Sequence, residues 1–231
     1  MGNSNEILAI QNIYCEPLGV LKDYLLSDGF GITEILSEKE KISEDIEKFD
    51  AIFILGGPMS VNDYTDSLIK QKQLVINSLK MDILIFGIYL GSQIIADSCG
   101  GNVFQGSKKE IGWKTVDITD EGKNTLFKNI SFNSIPVFQW HTDTFSLPLD
   151  AKVLSVSDLY IQAFKFKNAI GIQFHLEVTK RMIFSWIKEY VYEFNDRNEN
   201  KFKITNDIEN KTKDLHMYSK IVYDNFISLV K

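Results

Sequence analysis

Ile83-Leu84-Ile85-Phe86-Gly87-Ile88-Tyr89-Leu90-Gly91-Ser92-Gln93 is the stretch around which the chain is organised. A run of apolar residues closes at Gly87, a residue able to do polar chemistry stands between two glycines, and an amphipathic segment, Ile94 to Cys99, follows at once. The pattern reads as strand, sharp turn, helix. A turn of this kind is a nucleophile elbow: small flanking residues let the chain reverse tightly and present one side chain at the carboxyl edge of a parallel sheet. Position 89 is the exposed tip.

Toward the N-terminus the pattern is βαβ. Ile7 to Ile13 reads as a buried strand, and Pro17 to Ser27 as a helix with Leu18, Leu21, Leu25 and Leu26 on one face, stopped by Asp28-Gly29. Ile32 to Leu36 is a short second strand. Ala51 to Leu55 is a continuous apolar strand of the kind covered on both faces by crossover helices. Gly56-Gly57-Pro58-Met59-Ser60 then falls at the same carboxyl edge as Tyr89, where open parallel sheets form their ligand crevice, and Leu68 to Leu79 supplies the next helix.

Beyond Val103 short strands are expected at Trp113 to Ile118, Val137 to Trp140, Val153 to Val156, Ile161 to Phe166 and Ala169 to Phe174. Thr179 to Phe194 returns to helical spacing, with Met182, Ile183, Trp186, Ile187 and Tyr190 on one side. Residues 195–203 read as a polar break. Asp207 to Val230 reads as a last helix that packs back through Leu215, Ile221, Val222, Phe226 and Leu229. The fold class is α/β, an open, mostly parallel sheet with helices on both faces. One domain over residues 1–231 is expected, with a helical extension from about residue 205.

The 231 residues are 44% apolar, enough for a sizeable core. A net charge of -6 without any block of five Lys and Arg argues against a nucleic-acid surface, leaving small molecules or proteins as partners. Cys15 and Cys99 make no disulfide framework and have no metal-ligand spacing, so a reducing cytoplasm and no metal are expected. The segment Met1 to Glu6 lacks a basic n-region, and Glu6 stands where a myristoylation signal wants Ser or Thr. No apolar run reaches membrane-spanning length.

Gly171-Ile172-Gln173-Phe174-His175-Leu176-Glu177 carries the second chemical signal. In a strand of period two, His175 and Glu177 point the same way, so the carboxylate can orient the imidazole as a base and its orienter. The plain alternative is an ordinary polar strand end. Lys108, Lys109 and Glu110 read as a solvated turn, Trp113 and Trp140 as core or pocket wall, and His216 as a helix residue with no identified partner.

Taken together, LGGPMSVND (Leu55 to Asp63), GIYLGSQ (Gly87 to Gln93), KEIGW (Lys109 to Trp113), WHTDTF (Trp140 to Phe145), QFHLEVT (Gln173 to Thr179) and the terminal YDNF (Tyr223 to Phe226) resemble the class I, or triad, glutamine amidotransferases. The resemblance runs nearly end to end and is nearest to stand-alone members similar to the amidotransferase domain of GMP synthetase. It implies a flavodoxin-like fold and a reaction in which an elbow cysteine attacks the side-chain amide of glutamine, forms a γ-glutamyl thioester and releases ammonia. It implies His175 as base and Glu177 as its partner. Backbone N–H groups of Gly57 and Leu90 would form the oxyanion hole. Gln93 would hold the amino-acid end of the substrate, and His141, Thr142 and Asp143 would border the crevice. No cofactor is implied.

The departure is at the centre: the elbow reads G-x-Tyr-x-G where the family reads G-x-Cys-x-G. A phenol ionises near pH 10 against about 8.5 for a thiol, and its ring extends into the space the substrate amide would need. Four readings stay open on the sequence alone. They are a catalytically impaired or inactive homologue, a changed chemistry in which His175 and Glu177 activate water, a Cys-to-Tyr variant of an active enzyme, and Tyr89 as nucleophile. Cys15, on the loop after the first strand, is a candidate rescuing thiol, with a small buried hydrophobe as the alternative. No S-G-G-x-D-S synthetase motif is present, so an ammonia-accepting synthetase would be a separate chain.

Overall fold

Apolar runs bounded by glycine and amphipathic segments between them produce, in the computed structural model, a nine-stranded sheet with strand order β2-β1-β3-β4-β9-β8-β7-β5-β6. The structure describes residues 5–42, 45–194 and 197–230. Met1 to Ser4 of the N-terminal reading, and Asn195 and Asp196 of the polar break, lie outside them. The parallel half comprises β1 (Glu6–Gln11), β2 (Gly31–Leu36), β3 (Ala51–Ile54), β4 (Leu84–Ile88) and β9 (Ala169–Ile172). The antiparallel half continues through β8 (Ile161–Phe166), β7 (Lys152–Val156), β5 (Asn102–Ile118) and β6 (Ser134–Ser146).

Successive strand residues point to opposite faces, and both faces are apolar here because helices cover both. Ile7 and Ala9 of β1 and Phe53 of β3 pack with Leu21 and Leu25 of α1 (Val20–Ser27) and Phe226 of α7 (Ile208–Ile227). Leu8 and Ile10, with Ile52 and Ile54, pack with Leu74 and Val75 of α2 (Asp66–Lys80) and Ile94 and Ile95 of α3 (Leu90–Ser98). Each such large side chain, fully buried, contributes about 1.5–3 kcal/mol. Phe226 meets Phe53 and Phe86 at ring-centroid separations of 5.4 and 4.9 Å, which docks α7 on the first face. Strand order reverses at β1, so the loops after β1 and β3 open a crevice at the carboxyl edge.

The α/β class with helices on both faces agrees with the sequence reading, and several element bounds differ from it. The segments at Trp113 and Val137 are the ends of two long strands, β5 and β6. Their ladder shifts register between Gln105 and Glu110, and that irregularity turns Glu110 inward against His141. Glu110 is therefore a buried strand residue and no solvated turn. Strand β9 stops at Ile172, two residues before the expected end. His175 is instead held by an isolated bridge in which its N–H donates to Phe138 O at 2.8 Å.

The helix expected from Thr179 to Phe194 is α5 (Lys180–Glu189), capped by Thr179 and followed by a 3-10 turn at Val191–Glu193. Within the described part of the polar break lies a helix, α6 (Arg197–Thr205). Its end is fixed by tertiary contacts: Ile204 is buried and its carbonyl accepts from Trp113 Nε1 at 2.8 Å. His216 has a partner after all, Val178 O at 2.9 Å from Nε2. Among the described residues no helix is long and apolar enough to cross a membrane.

Candidate active site

The elbow is built from backbone contact. Gly87 pairs with Ile54 on one side and Gly171 on the other. A methyl group at Gly87 would lie 2.5 Å from the Gly91 carbonyl carbon, and one at Gly91 would lie 1.9 Å from Ile54 O. Only glycines let α3 begin directly against β3 and β4. Between them Tyr89 adopts φ 49°, ψ -106°, a conformation that non-glycine residues rarely hold and that costs of order 1–3 kcal/mol. The surroundings hold it there: its N–H donates to Ile172 O at 2.8 Å, and its carbonyl accepts from Ser92 Oγ at 2.7 Å and Gln93 N at 3.0 Å.

The Tyr89 ring lies near two imidazoles, 5.7 Å from His175 and 6.4 Å from His141, centroid to centroid. Burial, followed by the carboxylates of Glu16, Asp143 and Glu193, pushes its phenol far above the ordinary value. Beside the ring the cavity has room for about 20 Å³, close to a single water molecule.

His175 and Glu177 are both buried, and His175 Nδ1 stands 2.7 Å from Glu177 Oε1. With the proton on Nδ1 facing the carboxylate, Nε2 carries a lone pair, and no protein group satisfies it. The pairing expected from a straight strand thus survives without the strand. A close helix start replaces it: Val20 N–H donates to Glu177 O at 3.0 Å, and Gly19, at φ 55°, has no room for a side chain because a methyl would lie 1.9 Å from that carbonyl.

Glu16 belongs to the same cluster and the sequence reading passed over it, stopping at its neighbour Cys15. It is buried, accepts from Tyr190 OH at 2.6 Å through Oε1, and leaves Oε2 unpartnered. Burial pushes its carboxyl up to about 7, partly offset by His175 and the Tyr190 hydrogen bond. The available signal was position, an acid in the loop after β1 at the crevice. Cys15 itself turns to Tyr190, with Sγ 3.4 Å from the hydroxyl, and burial raises its thiol. That environment disfavours the thiolate a rescue would need.

The remaining expected residues form a second cluster behind the tip. His141 Nε2 lies 3.1 Å from Glu110 Oε2, and Gln173 Nε2 lies 3.1 Å from His141 Nδ1. Nδ1 thus faces a donor, the Gln173 amide, and an acceptor, Asp143 O at 3.2 Å, while Nε2 faces the Glu110 carboxylate. Gln162 donates to the same carboxylate oxygen at 2.7 Å and Ser157 at 3.3 Å. Burial alone would raise Glu110, but these hydrogen bonds outweigh it and hold the carboxyl below its usual range.

Asp143 ties three loops together. Its carbonyl accepts from Gln93 Nε2 at 3.3 Å and from Gln173 Nε2, and its Oδ2 accepts from Ser60 Oγ at 3.1 Å. Gln93 is therefore turned onto the β6 backbone, while Thr142 is half-buried on the same strand. Gly57 and Leu90 are adjacent, since a methyl at Gly57 would lie 3.2 Å from Leu90 Cδ2. Leu90 opens α3, so its N–H is one of the helix-start donors without an intrahelical partner. Trp140 is buried against Trp186, Tyr190 and Phe194, as pocket wall.

Comparison with known proteins agrees with this geometry. Residues 20–184 match the family model for glutamine amidotransferase class-I. A GMP synthase [glutamine-hydrolyzing] from Mesoplasma florum is 35% identical over 153 residues, 64% of this chain but only 28% of that protein's length. One subunit of a GMP synthase [glutamine-hydrolyzing] from Sulfurisphaera tokodaii is 34% identical over 152 residues, covering 64% of this chain and 78% of that one. The crystal structure of a glutamine amidotransferase from Thermotoga maritima superposes with a TM-score of 0.86 at 29% identity, over 96% of this chain and 97% of that one. The elbow, the crevice behind it and the match over most of the chain agree: this protein belongs to the class I glutamine amidotransferase family.

Proposed function

We propose that this chain is a glutamine amidotransferase homologue whose glutaminase step is silenced because Tyr89 occupies the nucleophile position. The carrying observation is the Tyr89 ring itself: it stands at the strained tip, beside His175, in a cavity with room for about 20 Å³. The phenolate is suppressed by burial and nearby carboxylates, and a glutamine side chain has no place beside the ring. His175 and Glu177 have the arrangement of a base and its orienter, and the adjacency of Gly57 and Leu90 supports their N–H groups as the donors to a developing oxyanion.

The decisive experiment is paired: ammonia released from glutamine by this protein and by Tyr89→Cys under identical conditions. The expected result is a silent parent and an active cysteine variant. Equal turnover by both would overturn the reading. A glutamine or γ-glutamyl ligand, a separate synthetase chain as acceptor and a cytoplasmic setting belong to the same proposal. That the Sulfurisphaera tokodaii relative is named as one subunit of its synthase supports the separate chain.

A second reading has an observation of its own. His175 Nε2 and Glu16 Oε2 are both unpartnered at the cavity and could activate water for amide hydrolysis without a covalent intermediate. It requires turnover in the unaltered protein that His175→Ala abolishes.

A further inference from the structure

A second cavity, of about 320 Å³, opens between strand β5 and the last two helices, and it shares no lining residue with the one beside Tyr89. Lys114 comes to it from β5, Lys203 from α6 and Lys211 from α7, around Gly112, Trp113 and Ile204. No acidic side chain among the described residues lines it, in a chain whose net charge is -6. The described residues put no carboxylate within ion-pair distance of Lys114 or Lys211. Lys211 Nζ stands 5.9 Å from the Trp113 ring centroid, so an indole face takes the place of a counter-ion.

The strand adds neutral donors. Along Ile111–Lys114, β5 is paired with β6 on one edge, and β7 joins its other edge only at Asp117 and Ile118. The backbone N–H groups aimed at that free edge have no ladder partner, and no described backbone carbonyl outside the ladder takes them. A plain solvated face carries charges of both signs. Here three ammonium groups from three elements converge on one concave space without an acid among them, and like charges so placed repel unless an anion sits between them.

We propose that this cavity binds the phosphate group of a small phosphorylated molecule. Lysine acts as a point charge, without the planar fork that suits a carboxylate, so it favours the charge density of a dianionic phosphate. The volume is at the lower end of small-molecule pockets and leaves room for an organic group beside the half-buried Trp113. The inference rests on this cavity alone, so it stands or falls separately from the fate of glutamine at Tyr89.

Trp113 supplies the readout. Of the three tryptophans, Trp140 and Trp186 are 4% and 1% exposed, whereas Trp113 is half-buried at the cavity. An oxyanion that draws Lys211 off the indole face changes the Trp113 emission. The test is titration of the unaltered protein with inorganic phosphate, read by tryptophan fluorescence and, independently, by equilibrium dialysis against radiolabelled phosphate. Acetate and chloride serve as controls at equal ionic strength. The expected result is saturable phosphate uptake with a matching emission change, a weaker response to acetate and none to chloride. Raising the sodium chloride concentration should weaken phosphate binding, because partly exposed charges are screened. Lys114→Gln and Lys211→Gln should each lower phosphate affinity by about fivefold or more, and the double variant further. No saturable phosphate uptake, a response to acetate or chloride equal to that for phosphate, or unchanged phosphate affinity in the double variant overturns the proposal. Dialysis and the anion series use the unaltered protein, so they decide even if a variant folds poorly.

Discussion

Two buried histidine–carboxylate pairs lie near the Tyr89 ring, and they have different surroundings. His141 is hemmed in: Glu110 Oε2 stands 3.1 Å from Nε2 as a charge contact outside hydrogen-bond geometry, Gln173 meets Nδ1, and Gln162 and Ser157 fill the same carboxylate. His175 is open: Glu177 holds Nδ1, and Nε2 faces the cavity unpartnered. The same pair of residue types serves as a brace in one place and as a reactive centre in the other. What separates them is what Nε2 faces, a carboxylate oxygen at 3.1 Å in one and the cavity in the other.

The largest expected effect breaks the hemmed-in pair. Glu110→Ala leaves the Gln162 and Ser157 donors without that acceptor and His141 without its charge contact, and should cost about 3–5 kcal/mol in denaturant unfolding. A loss below about 1 kcal/mol would mean that the cluster does not brace the fold.

Next is Glu16, the acid beside the open pair. Its folded carboxyl sits at about 7 against 4.5 for the ordinary value, so the folded state binds the extra proton between those pH values. Stability from this group is fully present below pH 4.5 and is lost as the pH rises through 7, a swing of roughly 3 kcal/mol. Glu16→Gln should flatten that slope relative to the parent in unfolding curves at pH 5 and pH 8. Glu110 has the opposite sense, because its carboxyl is depressed: its contribution is present above the unfolded value and disappears as the pH falls through the folded one.

The open pair is sharpened by chemistry. In a Tyr89→Cys background, Glu177→Gln should lower ammonia release from glutamine by about a hundredfold, near 2.7 kcal/mol of barrier, because the imidazole loses its orienting anion. An unchanged rate would remove Glu177 from the machinery. The smallest effect is expected for Tyr190→Phe, which deletes one hydrogen bond to a buried carboxylate and should cost about 1–2 kcal/mol. It should also raise the Glu16 midpoint further.

The open pair was legible in the sequence and the hemmed-in one was not. His175 and Glu177 stand two residues apart, and the Gly87–Gly91 turn announces itself by an apolar run ending in small residues. The parallel half follows the same local logic, with apolar runs, stop signals and amphipathic spacings all short in sequence. Glu110 gave a misleading local signal, two lysines before it. Only the register shift in the β5–β6 ladder turns it inward, and a shift of one residue in a strand changes the face of every side chain. Glu16 and Tyr190 are 174 residues apart, so their bond has no local trace. Residues near 200 looked like a polar break because propensity alone cannot report that Ile204 is anchored on Trp113.

The Asp143 anchor carries a consequence for motion. One residue on β6 holds the glycine loop through Ser60, the elbow helix through Gln93 and the approach to His175 through Gln173. Three segments distant in sequence therefore open as one cooperative unit, and their amides should share a common opening free energy in hydrogen exchange. Loss of the Asp143 contacts should therefore loosen all three walls of the crevice together.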